Sequence, residues 1–477
     1  MAESFSLSRR QFSKAAVSSA AASFGFQFIP SRAWGQLEKP ALAGIGTGGK
    51  GVADIRGSEQ AGFQVVALAD VVDARKMLTK PDGRARNLGE MQRTHEQAAF
   101  FTDYREMIAQ MGDKIDAVTV STPDHHHFHA SYLAMKAGKH VYCQKPLTHG
   151  IWEARILAEL AASTGVKTQM GNQAHAQDHM RRCVELVRAG VVGKVREIHA
   201  WTNRPIWPQG FAQRPPADPI PEWMDWEQWI GPAPFTDYSS KIAPFAWRGW
   251  WDYGCGALGD MACHIMDMGW WAVMPDAPLS VTAEQKGGSE LSAPISSKIT
   301  WDFGPSEFAS KNGFKYHWYD GYTQAHFDPE TWSLVKESEE YNHPDIATLD
   351  NESFKNFGSV IIGENGKLFF DRGRQAWVVK SHYKIDGFQW PKESIPRATD
   401  QDNYKEWYDA VQGTVDRGQS DFSHAGPFTE TILLGTLAQR LPGETLHWDA
   451  ENLAVKDRPE LKKWIQREYR SGWEIRT

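Results

Sequence analysis

Residues 41–55, ALAGIGTGGKGVADI, decide how the rest of the chain is read. A short apolar run, ALAGI, meets glycines at 46, 48, 49 and 51 and then a segment with helical spacing. That order reads as strand, tight turn and helix. In the spacing Gly46-x-Gly48-x-x-Gly51, the first glycine permits the turn and the second lets backbone approach a pyrophosphate. The third lets the helix pack against its strand. Gly49 and Lys50 lie inside the same turn and join these as candidate nucleotide contacts. Gly44, Gly46 and Gly49 fit the same spacing one step earlier, but the later register leaves ALAGI whole as strand.

The next stretch, FQVVALADVVD, runs apolar into Asp70, 19 residues beyond Gly51. A carboxylate there is placed to hold ribose hydroxyls and to repel a 2′-phosphate, so NAD is the expected cofactor. Arg75 leaves NADP open. Beyond it, DYREMIAQM reads as helix, DAVTVST as strand, FHASYLAMKAG as helix and HVYCQKP as strand. This alternation predicts a parallel, doubly wound sheet with ligands at the carboxyl ends of its strands. Thr122-Pro123 follows one such end, and Lys145-Pro146 follows another. Lys145 is therefore expected where a nicotinamide would rest.

After about residue 166 the alternation stops. VREIHAWTNRPIWP, SSKITWDF, GFKYHWYDGY, SVIIGENGKLFF and AWVVKSHY read as strands of a largely antiparallel sheet. The expected organisation is a segment at 1–35, a Rossmann domain at 39–166 and an α+β domain at 167–477 for substrate binding and oligomerisation. The densest chemistry in the second half is WRGWWDYGCGALGDMACHIMDMGWW, residues 247–271. Asp260 and His264 are four apart and share a helix face. With Lys145 they supply what alcohol oxidation needs: a group to take the hydroxyl proton, a carboxylate to orient it and a cation to polarise the oxygen. Asp267 competes with Asp260 for the orienting role. Trp207, Trp247, Arg248, Trp250 and Trp251 are candidate pocket residues, although most tryptophans pack cores. Gln173 and His175, in GNQAH, are placed in the pocket by position alone.

GTGGKG, STPDHHHFHASYLAMKAGKHVYCQKPL and GALGDMACH together resemble the Gfo/Idh/MocA family of oxidoreductases. The resemblance implies catalytic roles for Lys145, Asp260 and His264, and places Thr122, Pro123 and His127 along the cofactor with Gln144. The family carries E-K-P where this chain has Gln144-Lys145-Pro146, so a negative charge beside Lys145 is missing. The run HHHFH sets His125 and His129 on one helix face, but no HExxH pattern or carboxylate accompanies it, and no metal is expected.

The wider composition sets bounds. A net charge of -7 over 477 residues offers no basic face for nucleic acid. Four cysteines without CxxC spacing suggest buried thiols rather than a zinc ribbon or disulfide framework. Twenty-one tryptophans supply flat amphipathic surfaces of the kind sugar rings pack on. Ser8-Arg9-Arg10-Gln11-Phe12-Ser13-Lys14 resembles a twin-arginine export signal, departing from it at Ser13, and the stretch after it is too interrupted for a stable membrane span. The expectation is an exported, periplasmic homo-oligomer that moves hydride between a carbohydrate or polyol hydroxyl and a tightly held NAD. The rival readings are a glycosidase or lyase working by transient oxidation and elimination, and a non-catalytic dinucleotide- or sugar-binding protein.

Overall fold

The computed structural model describes residues 39–77, 87–345, 357–371, 376–381 and 391–475. The segment resembling an export signal lies outside them. Six short apolar runs form the first sheet: β1 (Ala41–Ile45), β2 (Gln64–Ala69), β3 (Ala99–Phe101), β4 (Ala117–Val120), β5 (His140–Cys143) and β6 (Thr168–Met170). All pair in parallel, in the order β3-β2-β1-β4-β5-β6. Strands covered by helices on both faces need apolar residues at nearly every position, and β4 is buried along its whole length. The crossover helices include Lys50–Ala61, Tyr104–Met111, His127–Lys136 and Ile151–Thr164. Asp103 starts the second of these by accepting the Arg105 backbone N–H. The strand order reverses between β1 and β4, which opens a crevice at their carboxyl ends.

This sheet extends beyond residue 166, because β6 is its sixth strand. The chain also returns to it near the C-terminus. The helix Asn403–Val411 lies against Lys50–Ala61, with Trp407 stacked on Phe63 at 4.6 Å. Trp407 shares a buried cluster with Leu42, Ala117 and Tyr142. The Rossmann domain is thus completed by residues more than two hundred positions downstream of the expected boundary.

The second sheet is built from β7 (Val195–Thr202), β8 (Ser280–Lys286), β9 (Ser296–Phe303) and β10 (Phe314–Gly321). A separate ribbon of β11 (Ala325–Asp328) and β12 (Ser333–Lys336) follows. The large sheet then continues through β13 (Phe357–Gly363), β14 (Gly366–Asp371), β15 (Ala376–Ser381), β16 (Thr445–Asp449) and β17 (Ala454–Val455). Its order is β15-β14-β13-β7-β10-β9-β8-β16-β17, and every pairing is antiparallel except β7 with β10. In β9, buried and half-buried residues alternate, as a sheet with one covered face requires. The helix Phe422–Gln439 lies between the domains: Glu430 pairs with Arg155 at 2.8 Å, and the Trp301 indole donates to the Thr431 carbonyl at 2.9 Å.

The tryptophan-rich stretch builds its own small core, in which Phe211, Trp226, Trp229, Trp250 and Tyr253 are buried together. Trp250 stacks on Phe211 at 4.2 Å and is fully buried, so it serves packing rather than a pocket. All four cysteines are free and buried, and burial raises their thiols above the ordinary range.

Candidate active site

A cavity of about 680 Å³ follows the carboxyl ends of β1, β4 and β5 and continues into the second domain. Gly46, Gly48, Gly49 and Lys50 line one end. The turn geometry is what the later glycine register demands. Gly46 has a positive φ of 76°, and a Cβ on Gly51 would lie 1.9 Å from the Gly46 carbonyl oxygen. Gly51 itself stays out of the cavity wall and permits the close helix–turn contact. Asp70 closes on this turn: one carboxylate oxygen accepts from the Thr47 and Gly48 backbone N–H groups, at 2.6 and 3.2 Å, and from the Thr47 hydroxyl. Its other oxygen accepts only from Val72, leaving capacity for a ribose hydroxyl. Burial pushes the Asp70 carboxyl above its ordinary range, against the lowering effect of these bonds. Arg75 is turned away into a pair with Asp73 at 2.8 Å and does not reach Asp70.

Thr122, Pro123, His127 and Gln144 line the middle of the same cavity. The His127 ring spans two strand ends, with its nitrogens 2.7 Å from the Pro146 carbonyl oxygen and 2.9 Å from that of Thr122. The Thr122 hydroxyl is buried without a hydrogen-bond partner among the described residues. A buried orphan hydroxyl beside a glycine cradle and an available carboxylate oxygen fits a bound dinucleotide. Gln144 faces a buried carboxylate that the sequence reading did not use. Its amide donates at 3.0 Å to Asp54, which also accepts from Lys50, Ser121 and Tyr404 at 2.7–2.8 Å. A glutamate at 144 would meet Asp54 as a like charge, so the amide suits this site.

At the far end, Lys145, Asp260 and His264 line the cavity together. The Lys145 ammonium donates to the Asp260 carboxylate at 2.5 Å and to the Asp260 backbone carbonyl at 3.0 Å. Two of its three N–H donors are thereby fixed, and the third is left for a ligand oxygen. Asp260 therefore supplies the negative partner that Gln144 lacks. Its second partner is Arg248, at 3.3 Å, and Arg248 also pairs with the buried Asp124 at 3.0 Å. Burial would raise the Asp260 carboxyl, but the Lys145 and Arg248 charges hold it below the ordinary range. Asp260 is engaged by both cations, and through the first of these contacts it orients Lys145. His264 is 8% exposed and presents its imidazole from the same helix, Gly256–Ile265.

The remaining candidates divide. Gln173, Trp207, Trp247 and Arg248 line the cavity, and the Arg248 guanidinium lies 4.3 Å from the Trp247 ring centre. His175 does not: it is fully buried, stacked on Trp271, with its Nδ1 2.7 Å from Asp267. Asp267 also takes Asn172 and His424, each at 2.9 Å, so it ties three segments together. Burial opposes ionisation of Asp267, but the two imidazoles hold its carboxyl well below the ordinary range. Trp251 is likewise a packing residue, its indole bonded to the Ser289 carbonyl and its ring under Arg440 at 4.4 Å. The histidines of HHHFH pin distant segments: His125 and His126 lie 2.9 Å from the Trp229 carbonyl, and His129 lies 2.9 Å from that of Trp473. The sequence reading missed Arg204, which lines the substrate end. No motif marks it; its position follows from where β7 stops.

Residues 41–172 match the family model described as an oxidoreductase family with an NAD-binding Rossmann fold, and residues 186–301 match that family's C-terminal alpha/beta domain. The two matches span just over half of the sequence, and the chain belongs to the Gfo/Idh/MocA oxidoreductase family. Among individual proteins, it is 32% identical over 139 residues to a Rhizobium meliloti protein described as an uncharacterized oxidoreductase, covering 29% of this chain and 37% of that one. It is 28% identical over 144 residues to a D-xylose 1-dehydrogenase (NADP(+)) of Hypocrea jecorina, covering 30% and 34%. The chain thus spans about a third of the length of each of these curated relatives. A levoglucosan dehydrogenase solved with NADH and levoglucosan shares the fold, with a TM-score of 0.55 and 16% identity over 86% of this chain and 99% of that one.

Proposed function

We propose that the protein is an NAD-dependent oxidoreductase that moves hydride between a secondary hydroxyl of a sugar, glycoside or polyol and a retained nicotinamide cofactor. The observation that carries this reading is the single cavity that joins the glycine turn and Asp70 to Lys145, Asp260 and His264. The Hypocrea and levoglucosan enzymes, whose names state sugar substrates, support the substrate class. A nicotinamide bound there supplies the hydride acceptor. Lys145 donates its third N–H to the substrate oxygen and stabilises charge that develops on it. Asp260 holds that ammonium in place, and His264 takes up the hydroxyl proton. The walls around Trp207 and Trp247 exclude water from one side of the substrate.

We also propose export by the twin-arginine route, on the pattern around Arg9 and Arg10, with NAD loaded before export and tightly held. A homo-oligomer formed through the open face of the large sheet completes the reading. The test is to purify the exported form, denature it and identify the released nucleotide before and after incubation with sugars and glycosides. Stoichiometric NAD converted to NADH by one of them is the expected result. No retained nucleotide and no binding of added NAD would overturn the reading. Cleavage of a glycoside without net NADH would redirect it to transient oxidation and elimination.

A further inference from the structure

The substrate end of the cavity holds three cations, Lys145, Arg204 and Arg248, but among the described residues only two carboxylates face them, Asp124 and Asp260. Asp260 is shared by Lys145 and Arg248, and Asp124 is taken by Arg248. Arg204 has no carboxylate within ion-pair distance among the described residues. Its side chain makes one hydrogen bond, to the Asn203 amide oxygen at 3.3 Å. A guanidinium carries five N–H donors in a rigid fork, so most of its donors are unspent. It is also half-buried, which weakens the screening a surface arginine enjoys.

The backbone beneath it is fixed. Arg204 follows the end of β7, its N–H donates to the Thr202 hydroxyl and its carbonyl accepts the Gly321 N–H at 2.7 Å. The glycine turn and Asp70 stand at the opposite end of the cavity, so the dinucleotide phosphates are not what this fork meets. Arg204 lines the cavity together with Asp260 and His264, which places it at the reacting end. A cation held without a counter-charge beside a substrate pocket favours a ligand that brings the missing negative charge.

We propose that the substrate is an acidic sugar or glycoside, carrying a carboxylate or a sulfate ester that Arg204 binds through two parallel N–H donors. This rests on the oxidoreductase reading above and narrows it from carbohydrates in general to anionic ones. Arg204 is then the specificity-determining residue, while Arg248 is committed to Asp124 and Asp260.

The experiment uses the nucleotide-loaded protein and matched pairs of sugars: galactose with galacturonate, glucose with glucuronate, and galactose with galactose 6-sulfate. Binding is followed by tryptophan fluorescence and turnover by absorbance of the reduced nucleotide. The acidic member of at least one pair should bind about tenfold or more tightly than its neutral partner, and the uronate and sulfate arms report which anion is preferred. Arg204→Gln should weaken that binding by about ten- to a hundredfold and bring the acidic-to-neutral ratio towards one, with Arg204→Lys recovering part of it. Equal binding of both members of every pair, no binding of any acidic sugar, or an unchanged ratio in Arg204→Gln would overturn the proposal. Nucleotide content measured on the same samples separates this from failure of the oxidoreductase reading, since loss of selectivity with retained NAD counts against the Arg204 role alone.

Discussion

Lys145 shows how little a single residue does alone. Its ammonium is aimed by both the side chain and the backbone of Asp260, which lies 115 positions away in sequence. Lys145→Met removes the donor and keeps the stem. It should lower kcat by about 10²–10⁴-fold while the amount of nucleotide released on denaturation stays that of the wild type. The Gln144–Asp54 contact predicts a different signature. In Gln144→Glu two buried carboxylates share a site at 3.0 Å, and the folded state keeps a proton between them that the unfolded chain releases. By linkage, stability then falls as pH rises above the ordinary carboxylate range, by up to about 1.4 kcal/mol per pH unit. Melting of this variant at pH 8 should be depressed relative to wild type by more than at pH 5. Lys145, Asp260 and His264 were legible in the sequence because motif spacing marks them. Asp54 and Arg204 were not, since a lone Asp inside a helix and a lone Arg after a strand carry no periodic or spacing signal.

Among the elements, the first turn and the helix that follows it depend on the absence of a side chain. Gly51→Ala would force a Cβ against the Gly46 carbonyl, with backbone on both sides of the contact. The expected cost is about 1–3 kcal/mol, together with loss of retained nucleotide, read by denaturant titration and by absorbance of the released fraction. The loop after β6, the helix Asp267–Val273 and the helix Phe422–Gln439 are joined by one carboxylate, Asp267, through His175, Asn172 and His424. Asp267→Ala leaves two imidazoles and an amide buried without their acceptor and should cost about 3–5 kcal/mol in urea unfolding. Periodicity found part of the second half: its five runs lie on β7, β9, β10, β13 with β14, and β15, while β8, β11, β12, β16 and β17 went unmarked. It failed for His175, which a linear reading places beside Gln173 and near the pocket. The chain turns there through a short 3-10 helix, Gln173–Ala176, so neighbouring side chains leave in different directions.

For the whole molecule, the histidines dominate the response to acid. Burial pulls His126, His140, His199 and His317 down to about 4, from an ordinary value of 6.5. Below pH 6.5 the unfolded chain binds protons that these folded imidazoles refuse, so stability is intact above 6.5 and is lost as pH falls towards 4. Asp320 and Asp70 oppose them: burial raises both carboxyls, that of Asp320 to about 7, so the folded state binds protons there, but they are two groups against four. Urea midpoints measured from pH 7.5 to 4.5 should decline steeply below 6.5; a flat profile would contradict the burial of these rings. The domain layout was legible only in outline, because alternation of strand and helix locates where a sheet begins but not which distant segment covers it. The helix Asn403–Val411 is that segment, and it carries a consequence for synthesis. As the chain leaves the ribosome, the face around Leu42, Phe63 and Tyr142 stays uncovered until residue 411 has emerged, and Asp54 waits equally long for the Tyr404 hydroxyl. The nucleotide domain precedes that helix in the chain, so its cofactor site is finished only after residue 411 has been made.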